Sequence, residues 1–591
     1  MMKPKKISQF TLLWAYIKPY KHRFYFAILL TVAMAFLNVM EPYVLGLAIT
    51  ELGKNVVSIF KNEPGAMINY TYVSRILIIY FIRALAYQAS ILFSQRFMTS
   101  VVQSAMFDLR SDLDRKINRL PVSYFDSHSF GDVLSRVTND VDAVSNAMQQ
   151  SLLQVVNAFL GITFAVTMFF WISWKLAIIT LVMIPASYLI SKKITNISQP
   201  YFTGQAKYLG QLNGFVQENL TGFSVIKLYG KEEDSVKEFS EINDQLRQSG
   251  FRAAFISGLM SPLTALVSNL AYISIAGFGI MQVIAGTLTI GNVQAAAQYI
   301  WQINQPITMV TQLSSVIQSA LAAIQRIFGF LDEEEIVEGK TQPLPEVIKG
   351  DITFDNVSFN YSADQPLIKN FNVKVTSGET VAIVGPTGAG KTTMINLLMR
   401  FYDVDSGAIK LDGHDIRNFT HQEYRSQFGM VLQDAWLYQD TIAENIRFGK
   451  LEASDAEVKQ AAEIANVDHF IQSLGEGYET VINQEASNLS LGQKQLLTIA
   501  RTFIANPKVL ILDEATSSVD TRLEVLIQKA MVKIMEKRTS FVIAHRLSTI
   551  RNADLILVMD KGQVIEQGTH EELISQKGFY YNLYNSQFQE N

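Results

Sequence analysis

The feature that most limits the possible folds is a series of long apolar segments in the first 325 residues. About 20 consecutive apolar residues suffice to cross a bilayer as a helix, and a helix satisfies its own backbone groups there. Four of the segments are strongly apolar and two are less so. We predict six transmembrane helices, at residues 24–49, 73–97, 152–173, 176–194, 254–283 and 292–325.

Basic residues mark one side of these predicted spans. Lys18, Lys21 and Arg23 precede the first span, and Arg110 and Arg119 lie between the second and third. Because cytoplasmic loops carry an excess of Lys and Arg, these regions should be cytoplasmic, and an even number of spans returns the chain to the same side. We therefore expect a multi-pass cell-membrane protein whose N-terminus and C-terminal domain are both cytoplasmic.

The rest of the chain has the composition of a soluble domain, although the whole chain is 49% hydrophobic with a mean hydropathy of +0.15. The change comes at the acidic run 331–335 and at the prolines that follow it. We assign residues 1–330 to the membrane domain, 331–348 to a linker and 349–591 to a second domain. The net charge of −4 gives no sign of nucleic-acid binding. The absence of cysteine excludes disulfides and thiolate metal sites.

A phosphate-binding pattern follows a short apolar run in the second domain. Residues 385–392 read Gly-Pro-Thr-Gly-Ala-Gly-Lys-Thr, directly after the buried-strand sequence Val-Ala-Ile-Val at 381–384. Glycines let backbone N–H groups turn toward phosphates, and the following helix offers its positive N-terminus. Lys391 can reach the β- and γ-phosphates, and Thr392 can ligate Mg²⁺. The sequence therefore predicts a nucleotide site.

Three further apolar runs read as buried strands that end in polar residues. Carboxyl ends of parallel strands share one edge of a sheet, where ligands bind. Asp513 can hold Mg²⁺ through water and Glu514 can orient the attacking water, while His545 can contact the γ-phosphate and Gln433 can sense metal and nucleotide. We therefore predict ATP hydrolysis. The runs are Val509–Leu512 before Asp513 and Glu514, Ser540–Ala544 before His545, and Phe428–Leu432 before Gln433.

The sixth predicted span carries five glutamines, at positions 294, 298, 302, 305 and 312. Their spacings place them on one helical face. Amides that face lipid would be left without hydrogen bonds, so this face should look into the bundle or an aqueous cavity. We predict that Gln298, Gln302 and Gln305 line a substrate path, with Trp301 near its edge.

Two ionisable residues lie at or near bilayer depth, Glu41 in the first span and Arg83 in the second. Such residues are by default paired or functional. For Glu41, close to the outer interface, a solvated structural role and contact with a ligand on the substrate path stay equally open. For Arg83, a structural pair with an acidic or carbonyl partner is favoured over contact with substrate.

The segment Asn488-Leu-Ser-Leu-Gly-Gln493 resembles the signature motif of ATP-binding cassette (ABC) proteins. With the motifs above, nearly all of the chain resembles a half-size ABC exporter of the multidrug type. This resemblance implies an α-helical membrane domain, an α/β P-loop ATPase domain, ATP and Mg²⁺ as cofactors, and export of hydrophobic or amphipathic compounds or lipids across the bilayer. In that family two half-transporters pair, and each ATP lies between one chain's Walker motifs and the other chain's signature.

The resemblance also assigns roles to individual residues. It implies a catalytic base at Glu514 and a switch histidine at His545, with Lys391 and Gln433 also taking part in catalysis. Segments 121–132 and 218–230 resemble the coupling regions that dock on ATP domains. The implied Mg²⁺ ligands are Thr392, Gln433 and Asp513. The implied ATP-binding residues are Tyr361, which stacks on adenine, Gly385, Thr387, Gly388, Ala389, Gly390, Lys391, Thr392, Thr393, Ser490, Gly492, Gln493 and Asp520.

Two departures from the family pattern concern the signature region. Its third residue is usually glycine and here is Leu491, and the usual glycines of the preceding loop are replaced by Asn483 and Ala486. Glycine permits close approach of the backbone to phosphate, so Leu491 should weaken the grip on the γ-phosphate. Because Glu514 and His545 are present, the chain most resembles the catalytically intact subunit of bacterial heterodimeric multidrug exporters. The alternatives are a lipid-flipping homodimer and a membrane-anchored ATP-dependent gate or regulator.

Overall fold

The computed structural model describes residues 9–336, 342–362, 365–432, 435–484, 486–513, 521–544 and 547–588. Its contacts divide the chain into two compact units. The first comprises Met1–Asn118 and Ser129–Glu334, and the second comprises Arg119–His128 and Glu335–Asn591. The short segment Arg119–His128 therefore belongs with the C-terminal part of the chain, although it lies between two helices of the first unit in sequence.

In its described residues the first unit consists of helices joined by short connections, with no strand. Five helical segments are long and apolar enough to cross a membrane: Thr11–Phe60, Tyr70–Ile117, Phe130–Ile172, Trp174–Thr221 and Glu232–Ile284. A further helix of 42 residues runs unbroken across the sixth predicted span. The helices are α1 Gln9–Ile17, α2 Lys21–Phe60, α3 Tyr70–Ile117, α4 Val122–Ser127 (in the second unit), α5 Phe130–Ser135, α6 Val141–Ala147, α7 Leu153–Ile172, α8 Trp174–Thr221, α9 Phe223–Leu228, α10 Glu232–Gly258, α11 Met260–Ile284 and α12 Ile290–Leu331.

Two of these helices extend well beyond a bilayer. Helices α3 and α8 have 48 residues each, which is roughly 72 Å at 1.5 Å per residue, against about 30 Å of hydrocarbon. Two five-residue π-helical turns, Arg136–Asp140 and Met148–Leu152, flank α6. A 3₁₀ turn, Lys18–Tyr20, joins α1 to α2.

The second unit has two sheets with helices around them. The strands are β1 Ile352–Ser362, β2 Gln365–Val375, β3 Thr380–Val384, β4 Ser406–Leu411, β5 His414–Asp415, β6 Phe428–Val431, β7 Val509–Asp513, β8 Thr539–Ile543, β9 Leu555–Asp560 and β10 Gln563–Gly568. A six-stranded sheet has the order β10-β9-β3-β8-β7-β6, in which only the β10–β9 pair is antiparallel. An antiparallel sheet has the order β2-β1-β4-β5. The helices are α13 Lys391–Leu398, α14 His421–Arg425, α15 Ile442–Arg447, α16 Asp455–Ile464, α17 Asp468–Ser473, α18 Leu491–Ala505, α19 Thr521–Met535, α20 Leu547–Arg551, α21 His570–Gln576 and α22 Phe579–Phe588.

Both faces of the parallel sheet are buried, as its continuous apolar strands require. Alternate residues of β3 enter different cores: Val381 and Ile383 pack toward the antiparallel sheet and α13, whereas Ala382 and Val384 pack toward α16, α18 and α19. This alternation follows from the two-residue period of a strand. The sheet is thereby fixed on both sides, and its carboxyl edge forms a rigid base for the loops that leave it.

Candidate functional site

The carboxyl ends of four parallel strands lie side by side in the second unit. Strand β3 pairs with β8, β8 with β7, and β7 with β6, and the register sets Ile383 and Asp513 each opposite Ile543. The predicted strands thus occur as parallel neighbours, with β6 and β8 each ending one residue earlier than expected. Three predicted site residues that follow these strands, Gln433, Glu514 and His545, lie outside the described residues, as does Asp520.

The loop after β3 has the backbone of a phosphate cradle. Gly388 and Gly390 have φ of +81° and +100°, the left-handed region that glycine adopts most easily. A Cβ at Gly385 would lie 2.2 Å from the Met559 carbonyl oxygen, whereas one at Gly388 would meet nothing within 4 Å. The loop therefore packs tightly against β9 at Gly385, and at Gly388 it has free space beside it. These glycines and the N-terminus of α13 fit a bound nucleotide phosphate.

Lys391 begins α13 and its ammonium bends back over the loop. It donates to the carbonyl oxygens of Gly385 at 2.6 Å and Pro386 at 3.1 Å. Burial lowers the pKa of Lys391, and the Asp513 carboxylate opposes this shift. When ATP is bound, it supplies the phosphoanhydride bond that is hydrolysed. Lys391 provides a partly desolvated positive charge at the loop. Thr392, exposed at the helix start, and Asp513, at the end of β7, would hold Mg²⁺.

Tyr361, the predicted adenine-stacking residue, is half exposed near the end of β1. Its hydroxyl accepts a hydrogen bond from Asn396 of α13 at 3.4 Å, which links it to the helix that follows the phosphate loop. Its ring meets that of Tyr402 edge-on, with 5.0 Å between the centroids. The Tyr402 hydroxyl in turn donates to Asp126 of α4, and burial together with this bond raises the pKa of Tyr402. Sequence reasoning did not identify Asn396 or Tyr402.

The signature residues form a regular helix start. Ser490 caps α18: its hydroxyl accepts from the Gln493 backbone N–H at 3.3 Å, and the Gln493 side chain accepts from the Ser490 N–H at 2.8 Å. Leu491 is the first helical residue, 39% exposed, with no positive φ. A leucine at this position costs no backbone strain, so its effect comes from its side chain at the exposed helix start. Gly492 is buried in the helix beside it.

The loop before the signature shows where glycine was needed for conformation. Ala486 has φ of +49°, a left-handed conformation that costs a residue with a Cβ roughly 1–2 kcal/mol. Asn483 instead closes the loop, because its side chain accepts from the Ser487 N–H at 2.8 Å. Of the two missing glycines, only the one at 486 leaves backbone strain.

Replacing Ala486 by glycine is therefore expected to stabilise the second unit. The relief of left-handed strain exceeds the cost of the extra unfolded-state entropy of glycine, roughly 0.5–1 kcal/mol. We therefore expect the free energy of unfolding to rise by up to about 1 kcal/mol. Thermal unfolding should show a midpoint higher by about 2–4 °C. The same change at Ala505, the last residue of helix α18, should lower the midpoint. A decrease for Ala486→Gly would show that its conformation is not strained.

In the first unit, the glutamine face of α12 has more than one environment. Gln302 donates to the Asn38 carbonyl oxygen of α2 at 3.1 Å, and Gln298 is half-buried. Trp301 and Gln305 are exposed. The predicted path residues thus include one that is hydrogen-bonded to a neighbouring helix and two that are open.

The Gln302 contact has a physical reason in Pro42. Proline has no N–H, so the carbonyl four residues earlier, that of Asn38, loses its intrahelical donor. Gln302 supplies one. The adjacent carbonyls of Leu37 and Val39 accept from Arg83 at 2.9 Å and from the Tyr299 hydroxyl at 2.7 Å. Donors from α3 and α12 therefore pair with the carbonyls near the missing N–H of Pro42, and α2 continues through the proline.

The effect of Gln302→Met is expected to depend on residue 42. In the parent chain the substitution should lower the free energy of unfolding by about 1–3 kcal/mol, because the Asn38 carbonyl then has no donor. In a Pro42→Ala background the new N–H can take that carbonyl, and the cost should fall by at least half. Thermal unfolding of the four proteins of this cycle measures the coupling. Gln305→Met, at an exposed position of α12, is the control, and additive effects of the two changes would refute the assignment.

Arg83 and Glu41 form a pair between α3 and α2, with 3.1 Å between guanidinium and carboxylate. Arg83 also has the Leu37 carbonyl as partner, so it contacts both kinds of group that its sequence position suggested. Tyr80 donates to Glu41 at 2.9 Å and places its ring 5.0 Å from the Arg83 guanidinium. Glu41 is thus engaged by two residues of α3.

Comparison with known proteins gives two family matches. Residues 24–307 match the ABC transporter transmembrane region, and residues 368–517 match the family described as ABC transporter.

Individual relatives extend over most of the chain. It is 44% identical over 533 residues to a fatty acid ABC transporter ATP-binding/permease protein of Mycobacterium bovis, with 90% of this chain and 83% of that protein covered. It is 35% identical over 495 residues to an ATP-dependent lipid A-core flippase of Syntrophus aciditrophicus, with coverage of 83% and 82%. A solved structure of a bacterial Atm1-family ABC exporter with ATP bound superposes with a TM-score of 0.75 at 27% identity, covering 96% of this chain and 98% of that one.

Proposed function

Because this chain belongs to the ABC transporter family and has its exporter membrane region and ATPase domain, we propose that it exports hydrophobic or amphipathic compounds as one half of a heterodimer. The heterodimer would have one competent ATP site and one degenerate site. Multidrug efflux and lipid export are both within this class of substrate.

Leu491 is the observation that carries the heterodimer proposal. Its side chain stands at the exposed start of α18, where glycine is usual, while the capping box keeps Ser490 and Gln493 in ordinary helical geometry. In a site built across an interface, this leucine weakens only the site that contains the partner's Walker motifs. Glu514 and His545 of this chain would act at the opposite site, which uses the partner's signature.

The partner chain should therefore carry an intact Leu-Ser-Gly-Gly-Gln signature and altered residues at the positions of Glu514 and His545. ATP closes the two ATP-binding domains only to the extent that it binds the closed state more tightly. A leucine that weakens the phosphate contacts of one site lowers that preference at one site only. In such a heterodimer the two ATP sites are therefore unequal.

The substrate class is supported by the membrane unit and by the names of relatives. Half-buried Gln298 with exposed Trp301 and Gln305 gives mixed polar and aromatic surface, which suits amphipathic compounds. The named relatives act on a fatty acid and on lipid A-core. A lipid-flipping homodimer is the second candidate, and the flippase relative favours it.

The two candidates differ in what the purified chain does alone. We expect the chain by itself, in lipid vesicles, to show little substrate-stimulated ATP hydrolysis, and the chain with its partner to move a fluorescent lipid or drug across the vesicle membrane. The variant Leu491→Gly should tighten nucleotide binding at the weak site of the complex without restoring hydrolysis there. A homodimer of the unmodified chain with full substrate-stimulated hydrolysis and transport would establish the second candidate instead.

A further inference from the structure

A groove of about 750 Å³ lies in the first unit between α1, the π-helical turn before α7 and the C-terminal half of α12. Its lining side chains are apolar apart from Thr11 and Ser151, and include Trp14, Val155 and Ile317. The volume lies within the roughly 300–1,000 Å³ of small-molecule sites. An apolar groove of this size suits one hydrocarbon chain.

Ser151 is the polar feature of this groove. It lies in the π-helical turn Met148–Leu152 and lines the groove, is 5% exposed, and its hydroxyl has no hydrogen-bond partner within the described chain. Hydroxyls in the regular helix that follows, those of Thr163 and Thr167, donate to the carbonyl four residues earlier. A buried hydroxyl without a partner is costly. The groove is therefore suited to an occupant with an oxygen acceptor at Ser151.

The turn beside the groove adds positive charge. Ile17 and Phe24 line the groove, and Lys18 and Lys21 lie between them in the chain, both exposed and without an acidic partner in the part of the chain that the structure describes. The α3 carboxylates Asp112 and Asp108 accept hydrogen bonds from Tyr16 and Tyr20 and so anchor the same turn. Because these two ammonium groups form no ion pair within the described residues, they can attract an anionic head group.

The depth of these groups fits the inner leaflet. Lys21 and Ser151 each come just before a predicted membrane span, those starting at residues 24 and 152. Trp14 packs edge-on against Phe24, with 5.6 Å between the centroids, and tryptophan is typical of the membrane interface. The polar groups therefore lie at headgroup level, and Val155 lies further along the same helix toward the hydrocarbon.

We infer that this groove binds a long-chain carboxylate taken from the inner leaflet. Its head group accepts from the Ser151 hydroxyl and lies near the ammonium groups of Lys18 and Lys21, and its chain lies along Val155 and Ile317. A single-chain amphiphile matches the volume, unlike a two-chain phospholipid with a larger head. The inference rests on the proposed function in naming a class of amphiphile, but binding itself requires neither ATP nor a partner chain.

Photolabelling tests this site directly. The full chain in nanodiscs of neutral phosphatidylcholine, without nucleotide, is irradiated with a diazirine-bearing palmitate, and the labelled peptides are mapped. We expect label in residues 11–24, 144–156 and 317–324. Palmitate should compete with the label at least fivefold more strongly than hexadecanol does. The double variant Lys18→Gln, Lys21→Gln should be labelled at least fivefold more weakly than the parent chain. Even labelling of all lipid-facing helices, or equal competition by phosphatidylglycerol, would overturn the assignment.

Two kinds of variant separate groove binding from general membrane partitioning. Ala320→Phe fills the groove, whereas Ala322→Phe adds the same ring at an exposed position of the same helix, and only the first should abolish labelling. Ser151→Cys introduces the one thiol of a chain without cysteine, and palmitate should slow alkylation of this thiol at least fivefold. The control is Phe159→Cys, which places a thiol at an exposed position of α7. Palmitate should leave its alkylation rate unchanged. Equal effects of the paired variants would refute the site. Binding without transport would refute only the proposed function.

Discussion

Replacing Glu514 by glutamine is expected to leave ATP binding intact and to lower ATP turnover by about 10²–10⁴-fold, the usual loss for a general base. In the sequence it directly follows Asp513, the last residue of β7, and β7 lies between β6 and β8 in the sheet. Glutamine keeps the size of the side chain and removes its basicity. The measurement is phosphate release by the assembled transporter, together with equilibrium binding of ATP.

The matched control is Glu476→Gln, which makes the same chemical change at an exposed carboxylate. It should leave turnover unchanged. In the proposed heterodimer, the corresponding substitution in the partner should also have little effect, because the partner's site is degenerate. Turnover by Glu514→Gln above a tenth of the parent value would exclude Glu514 as the base.

The second large effect is expected from Gly562→Ala, in the turn between β9 and β10. A Cβ there would lie 1.3 Å from the Leu367 carbonyl oxygen, so the turn must move. Its N–H donates to the Ala389 carbonyl of the phosphate loop at 2.9 Å, so the loop loses a support. We expect ATP affinity to fall at least tenfold, which a fluorescent ATP analogue titrated into the purified protein would measure.

Gly413 provides a close control for this substitution. The turns Asp412–Gly413 and Lys561–Gly562 both join two antiparallel strands through two residues of positive φ, and the two glycines have φ of +82° and +75°, as in type I′ turns. A Cβ at Gly413 meets nothing within 4 Å. Gly413→Ala should therefore cost only left-handed strain, roughly 1–2 kcal/mol, at unchanged ATP affinity. Equal loss of affinity in both variants would show that the contact with Ala389 is unimportant.

The parts of the fold that the sequence predicted are those determined by local pattern. A buried parallel strand is a continuous apolar run, and a phosphate loop has glycines at fixed spacing, so the strands before Gly385 and up to Asp513 could be placed to within a residue. The membrane-spanning helices followed from the length of the apolar segments. Membership of the ABC transporter family and an ATP-driven membrane exporter followed from the motifs together, and the comparisons confirm them.

What the sequence did not predict depends on contacts between distant residues. Gln302 lies far along the chain from Pro42. Nothing in a regular glutamine spacing shows that one glutamine will donate to the carbonyl that a distant proline leaves without its helical donor. The turn glycine Gly562 resembles any hairpin glycine, and only the fold brings it to the phosphate loop. Ala486 has an unremarkable side chain, and its positive φ is a property of the closed loop. The roles of Gln433, Glu514, Asp520 and His545 stay predictions.

The hydrogen bond from Tyr402 to Asp126 has a consequence for how the protein is made. The two residues are 276 positions apart, and synthesis at about 5–20 residues per second separates their emergence by about 14–55 s. During that interval the segment Arg119–His128 has left the ribosome without the unit into which it packs, and Tyr124, buried in the finished structure, lacks its final surroundings. The second unit is therefore completed only after its C-terminal part has been translated.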